Sequence, residues 1–127
     1  MIDALFNQTE YLAAKKLLDA TVLRQEAIAN NLANLETPNY RRLDVAPSFT
    51  AELKQALASG DASQLNSVQP KLEVDASAVA NSRDGNTVQL ESEMMNLQQN
   101  TLAHSVETQM VTWSLVRLQM AITGKSA

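Results

Sequence analysis

Cysteine is absent from this 127-residue chain. Neither a disulfide framework nor a thiolate metal site is open to it. Aromatic residues are scarce as well: two Phe, two Tyr and one Trp make up 4% of the chain, although hydrophobic residues reach 45%. A compact globule of this length ordinarily uses several bulky rings as core filler. An aliphatic and alanine-rich composition suits long helices that meet along narrow seams. Histidine occurs once, as His104. It cannot form a dyad with cysteine or a histidine-rich metal site, and its heptad position marks it as a partly buried seam residue. Ser92, Ser105 and Ser114 have no partner at a suggestive spacing, so no nucleophile is arguable. The sequence reads as no enzyme.

No block of one charge is present. Ten Lys plus Arg stand against fourteen Asp plus Glu, and both halves are mildly acidic. Phosphate binding by counterion release has little to work with, which argues against a nucleic-acid partner. No run of about eighteen apolar residues occurs, so no membrane insertion is expected. The start, Met1 to Gln8, has neither a basic beginning nor an apolar stretch, so it is no secretory signal peptide. Taken alone, these absences point to the cytoplasm.

Residues 3 to 35 hold no Gly or Pro and predict one long helix. Tyr11, Ala14, Leu18, Thr21, Gln25, Ile28, Leu32 and Leu35 follow heptad spacing. Pro38 pushes Thr37 out of the helical region, and Asn39 tolerates the left-handed conformation at the third position of a turn. An extended Tyr40–Leu43 segment should follow. A short helix is predicted from Pro47 to Ser59, with Phe49, Leu53, Ala56 and Leu57 on one side and Gly60 as its stop. Residues 61 to 86 are polar, with Pro70, Gly85 and short apolar runs such as Leu72 to Val74, and read as a long connector, either partly extended or disordered in the isolated subunit.

The second long helix should begin between Asn86 and Gln89, with Glu91 and Glu93 at the positive end of its dipole. Leu90, Met94, Leu97, Thr101, His104, Thr108, Val111, Leu115, Leu118 and Ile122 keep four-three spacing. Leu102, Val106, Met110, Trp113, Val116 and Met120 form a second stripe. Gly124 ends the helix, and Arg117 and Lys125 sit near its negative end. Trp113, Met110 and Met120 read as soft packing rather than a cofactor site, and no cofactor is expected. The expected fold class is all-α: two long terminal helices in an antiparallel, coiled-coil-like hairpin, with a short helix and a long irregular connector between them. The divisions are 1–42, 43–86 and 87–127, with both termini forming one structural domain.

Such a hairpin buries one stripe per helix and leaves the other wet. At about 1.5–3 kcal/mol for each large apolar side chain, the unburied stripe favours assembly. Copies packed in a heterologous array that does not close grow as a helical tube.

Ile28-Ala29-Asn30-Asn31-Leu32-Ala33-Asn34-Leu35-Glu36-Thr37-Pro38-Asn39-Tyr40-Arg41-Arg42 resembles the signature of flagellar rod and hook proteins. There an Ala-Asn-Asn-hydrophobic-Ala-Asn helix end runs into a Thr-Pro-Gly-Tyr-Lys/Arg turn. Asp84 to Met94 and Arg117 to Ile122 resemble the start and end of the C-terminal helix in proximal-rod members. The resemblance covers about residues 5–43 and 83–124. Asn39 stands where the family has Gly, and Leu35-Glu36 replaces a smaller pair, which bears on local lateral contacts. The short length, without a large outer domain, favours the proximal rod over the hook.

The resemblance implies export through the flagellar type III channel without a cleaved signal, which overrules the cytoplasmic reading. It implies assembly in the periplasm at the rod base, torque transmission and a continued export channel. The implied partners are copies of itself, other rod proteins, and ring and export-gate components. Asn30, Asn31 and Asn34 would bond neighbouring subunits or brace the turn; fraying and capping before Pro38 is the plain alternative. Tyr40, Arg41 and Arg42 would clamp acidic groups of an adjacent subunit, or form a solvated basic loop. With Leu18, Ile28, Leu32, Leu35, Pro38, Leu90, Met94, Leu97, Val111, Trp113, Leu115, Leu118 and Ile122, these are the expected subunit-interface residues. A soluble helical adaptor or export chaperone, docking one partner helix in a groove, is the competing function.

Overall fold

A computed structural model describes residues 2–124, with side chains from Gln8 onward. Helix α1 spans Ile2–Ala33 and helix α4 spans Leu90–Thr123. Between them lie strand β1 (Leu43–Val45), helix α2 (Ser48–Ser59), helix α3 (Ala62–Ser67) and strand β2 (Leu72–Val74). Lys125, expected beside the last turn of α4, falls outside the described residues.

The two long helices run antiparallel. Glu10 meets Arg117, Thr21 meets His104 and Asn31 meets Glu93 along their length. The predicted stops hold. Gly60 and Gly124 close α2 and α4 in the left-handed conformation, at φ 68° and 65°. Thr37 to Tyr40 form the turn after α1, closed by the Tyr40 N–H donating to the Thr37 carbonyl (3.3 Å), with Asn39 at φ 59°. Asparagine tolerates this region because its short polar side chain bonds locally.

The all-α expectation needs correction, because β1 and β2 form a small antiparallel sheet. Its register pairs Leu43 with Val74, Asp44 with Glu73 and Val45 with Leu72. The connector is correspondingly less irregular than its polar composition suggests. Asp61 caps α3 by accepting from the Ser63 N–H (2.8 Å), and Lys16 donates to the Asn66 carbonyl at the end of that helix (3.1 Å). Three apolar anchors then order the segment: Leu65 and Val68 are buried, and Leu72 packs beside them.

The main core therefore lies between α1 and this middle segment. Val45, Phe49, Leu53, Ala56, Leu65 and Val68 pack on Ala13, with Leu12, Leu17, Ala20 and Leu23 of α1 around them. Phe49, Leu53 and Ala56 recur at helical spacing, so α2 lays one face on α1. Leu57 projects outward from that face and is exposed. Helix α1 is the spine, carrying the middle segment on one side and α4 along another.

Candidate assembly surfaces

Where α1 ends, four stretches of chain converge on a buried polar clasp. Asn31 and Glu93 are both wholly enclosed. The Asn31 amide donates to the Leu43 carbonyl (2.9 Å) and to Glu93 (3.3 Å), while its oxygen accepts from the Leu43 N–H (2.9 Å) and the Tyr40 hydroxyl (3.3 Å). Arg42 donates from Nε to Glu93, and from Nη1 to Asp44 (3.1 Å) and Asp75 (2.8 Å). Asn86 supplies a second brace. Its amide donates to the carbonyls of Asn34, Leu35 and Thr37 (2.9, 3.0 and 2.9 Å), which fastens the turn that follows α1. Its oxygen accepts from the Val88 N–H (2.8 Å), one residue before Gln89 caps α4.

The charges are tuned by their surroundings. Burial weighs against the Arg42 guanidinium, yet its bonds to Glu93 and Asp44 prevail and raise its pKa above the ordinary arginine value. Burial, reinforced by the Glu93 charge, raises the Tyr40 phenol. Burial would raise the Asp44 carboxyl, but bonds from Arg24, the Val45 N–H and Arg42 leave it below the ordinary aspartate value. Asp75 is lowered too, first by the Ser77 hydroxyl, against partial burial.

Above the clasp, the seam of α4 against α1 is polar. Its buried residues are Glu93, Asn100 and Ser114, one or two heptads apart, with half-buried Glu107 completing the row. On α1 the opposing heptad is buried at Ala14, Thr21 and Ile28. Asn100 donates to the Thr21 carbonyl (2.9 Å) and to Gln25 (3.2 Å). Asn100 Oδ1 and Glu107 Oε2 are buried with no hydrogen-bond partner. Desolvation raises the Glu107 carboxyl above its usual range, against the pull of the Thr21 hydroxyl and the His104 and Arg24 charges. His104 is exposed at the seam edge, 3.3 Å from the Thr21 hydroxyl, and so less enclosed than its heptad position implies.

This seam lies to one side of the apolar row read from the sequence. Leu97, Val111 and Leu118 reach its flank and are half-buried, whereas Leu90, Met94, Leu115 and Ile122 are exposed, Ile122 at 84%. The second row is open as well, with Leu102 at 68% and Trp113 at 61% exposure. Each apolar row of α4 is thus covered only in part, and Met110 and Trp113 of the second row line a groove of about 420 Å³ with Leu17 and Leu57.

The remaining expected interface residues divide by burial. Ile28, Asn31 and Arg42 are buried within the chain, and Arg42 is paired with Asp44, Asp75 and Glu93 of the same subunit. Leu18, Leu32, Asn34, Leu35 and Tyr40 are half-buried, while Asn30, Pro38 and Arg41 are exposed. Glu93, read as a helix-start charge, is a clasp residue. Its partner lies 51 residues away, and nothing local signals the pair. Asn86 was also missed, although it sits within the rod-like Asp84–Met94 stretch.

A sequence model described as flagella basal body rod protein matches residues 18–41. That stretch runs from mid-α1 through Asn31 to the Pro38 turn, and the clasp's Arg42, Asp44, Asp75 and Glu93 lie outside it. Similar proteins extend the match over most of the chain. The flagellar basal body rod protein FlgB of Borrelia hermsii is 35% identical over 113 residues, covering 75% of this chain and 82% of the relative. That of Cereibacter sphaeroides is 30% identical over 110 residues, with 80% and 84% covered. That of Proteus mirabilis is 28% identical over 138 residues, with 96% and 97% covered. The chain belongs to the flagellar basal body rod protein FlgB family, a structural family of the flagellar basal body and not an enzyme family. Among the described residues, no helix is long and apolar enough to cross a membrane.

Proposed function

We propose that this chain polymerises, with copies of itself and with other rod proteins, into the tubular proximal rod. Residues 1–42 and 87–127 form the polymerising part, and residues 43–86 buttress α1 from the side. The subunit leaves the cytoplasm through the flagellar export channel without a cleaved signal. It assembles in the periplasm against ring and export-gate components, where the tube continues the channel and transmits torque.

One observation carries this reading: α4 meets α1 through Glu93, Asn100 and Ser114 and turns its large apolar residues to solvent. Burying a large apolar side chain fully is worth about 1.5–3 kcal/mol, and an isolated chain leaves part of that term unused along α4. Lateral neighbours recover it through Leu90, Met94, Leu115 and Ile122 on one face and Trp113 on the other. Leu18, Leu97, Val111 and Leu118 sit at the edges of such contacts, and Asn30, Pro38 and Arg41 are exposed at the turn end. The clasp suits a load-bearing part, since it ties both long helices and the sheet to one point.

Leu115→Asp tests the reading in cells that build flagella. The residue is exposed, so the soluble subunit should keep its fold and its helix content. A charge placed in a packed lateral contact should abolish rod assembly and swimming. Normal motility in that strain would remove the role assigned to this face.

A further inference from the structure

The two-stranded sheet has one edge closed and one edge open. Its ladder runs through alternate residues: the Ala46 N–H donates to the Lys71 carbonyl (2.8 Å), Asp44 pairs with Glu73, and the Asp75 N–H donates to the Arg42 carbonyl (2.9 Å). The residues between them, Leu43 and Val45 on β1 and Leu72 and Val74 on β2, therefore turn their backbone groups away from the partner strand. On β1 that edge is sealed. The Leu43 N–H donates to the Asn31 side-chain oxygen and the Asn31 amide donates to the Leu43 carbonyl (2.9 Å each), while the Val45 N–H donates to Asp44 (2.7 Å). On β2, no described residue bonds to the backbone of Leu72 or Val74. Glu73 and Val74 are exposed beside those groups, so β2 presents an unpaired strand edge.

That edge specifies its occupant. Donors and acceptors repeating at every second residue are matched by an extended polypeptide, whereas a helix keeps its own backbone groups occupied. Side chains set the rest. Positions added beside Leu72 and Val74 fall on the core side of the sheet, where Val45 is buried, and call for apolar residues. The position opposite Glu73 falls on the outer side, beside a groove of about 590 Å³ lined by Arg24, Asp44, Glu73 and Asp75. Arg24 is committed to Asp44, and Arg42 to Asp44 and Asp75. Glu73 has no ion-pair partner among the described residues, so it calls for a Lys or Arg. A second copy does not fit. Two antiparallel β2 edges that use both Leu72 and Val74 set Glu73 against Glu73. Shifting them by two residues sets Glu73 against Asp75, or brings Pro70, which has no N–H, opposite Val74. The Tyr40–Arg42 stretch already bonds to Thr87 and Asp75, and residues 78–81 carry no charge.

We propose that the free edge of β2 takes up an extended segment of a different protein as a third strand, with a basic residue against Glu73 between two apolar ones. This contact is separate from the faces of α4 and does not depend on them. The probe is a capped peptide, acetyl-Thr-Val-Lys-Val-Thr-amide, whose sequence reads alike in both directions and so suits either strand polarity. It is titrated into the isotope-labelled full-length chain, with the amides followed by NMR. One control peptide carries Glu in place of Lys. Another is methylated at every backbone nitrogen, which keeps the side chains and removes the donors. On the protein side, Val74→Pro removes an edge N–H that makes no ladder bond, a change that edge strands accept.

The expected result is saturable shifts centred on the Leu72 and Val74 amides, with slower hydrogen exchange there. Binding should be several-fold weaker with the Glu peptide and absent with the methylated peptide or the Val74→Pro chain, whose helix content should match wild type. No saturation of the unmodified chain by about 10 mM peptide would overturn the proposal. Equal binding of the Lys and Glu peptides, or of the methylated and parent peptides, would do the same, and neither comparison depends on the variant folding. In purified basal bodies, benzoylphenylalanine in place of Ala76, exposed just past β2, should give a photo-adduct with a different protein that Val74→Pro abolishes. An adduct with a second copy alone, one that persists in the Val74→Pro chain, or none from assembled chain would each overturn it.

Discussion

Replacing Arg42 with methionine keeps most of the side-chain volume and removes the cation from the clasp. Three acidic groups lose their partner, but unequally. The Asp44 and Asp75 side chains are 28% and 23% exposed, so water replaces much of what Arg42 supplied. Each of those losses should fall within the range of about 0–1 kcal/mol typical of exposed pairs. Glu93 has no exposed side-chain surface and keeps only the Asn31 amide as a donor. Breaking a buried pair on one side costs about 3–5 kcal/mol, because the remaining charge is enclosed without compensation. Against a total stability of about 5–15 kcal/mol, that is a large fraction. For a chain of this length it corresponds to a fall in Tm of roughly 10–20 °C. Urea unfolding of the isolated chain, followed by circular dichroism, gives the quantity directly. The double variant Arg42→Met/Glu93→Leu removes the stranded charge and should recover most of the loss. An Arg42→Met cost below about 1 kcal/mol, or a double variant no more stable than the single, would refute the idea that the clasp depends on this enclosed pair.

The other stability predictions concern single groups. Glu107→Gln should stabilise the chain by about 1 kcal/mol at pH 7, since the buried Oε2 has no donor and the charged form is the disfavoured one. The folded-state pKa is raised, so the cost of the charge appears as pH rises through that value; below the ordinary glutamate value of about 4.3 the gain should vanish, which urea midpoints at the two pH values will show. Asn86→Ala should cost about 1–3 kcal/mol, because three carbonyls in the turn after α1 lose their shared donor, and faster amide exchange there should accompany the loss. Asn39→Val should cost about 1–2 kcal/mol through its positive φ, whereas Asn39→Gly should unfold within a few tenths of wild type.

Features governed by local rules were legible in the sequence. Gly60 and Gly124 stop their helices, Pro38 and Asn39 make the turn, and Phe49, Leu53 and Ala56 define the inner face of α2. On α1 the heptad and the burial coincide at Ala14, Thr21 and Ile28. On α4 they do not. Apolar periodicity locates apolar residues without saying which neighbour covers them, and the face that α1 covers is built from Glu93, Asn100 and Ser114. The clasp was hidden for a different reason. Arg42 and Glu93 meet only after the middle segment has folded back, so each looks like an ordinary surface charge in its own stretch of sequence. Helix α3 and strand β2 are six and three residues long, too short for a period to show. The Asp61 cap is the local signal for α3, and the apolar run Leu72 to Val74 is the one for β2. Membership in the rod family was legible from the Asn-rich helix end and the turn after it.

The central claim is that α4 keeps its apolar faces outward because other subunits cover them. Imaging of purified basal bodies at side-chain resolution measures this most directly. The account predicts that Leu102, Trp113 and Leu115, open in the single chain, are enclosed by neighbouring subunits in the rod while Glu93 stays paired with Arg42. Rods in which those three side chains still face solvent, or in which α4 has turned them onto its own α1, would contradict it.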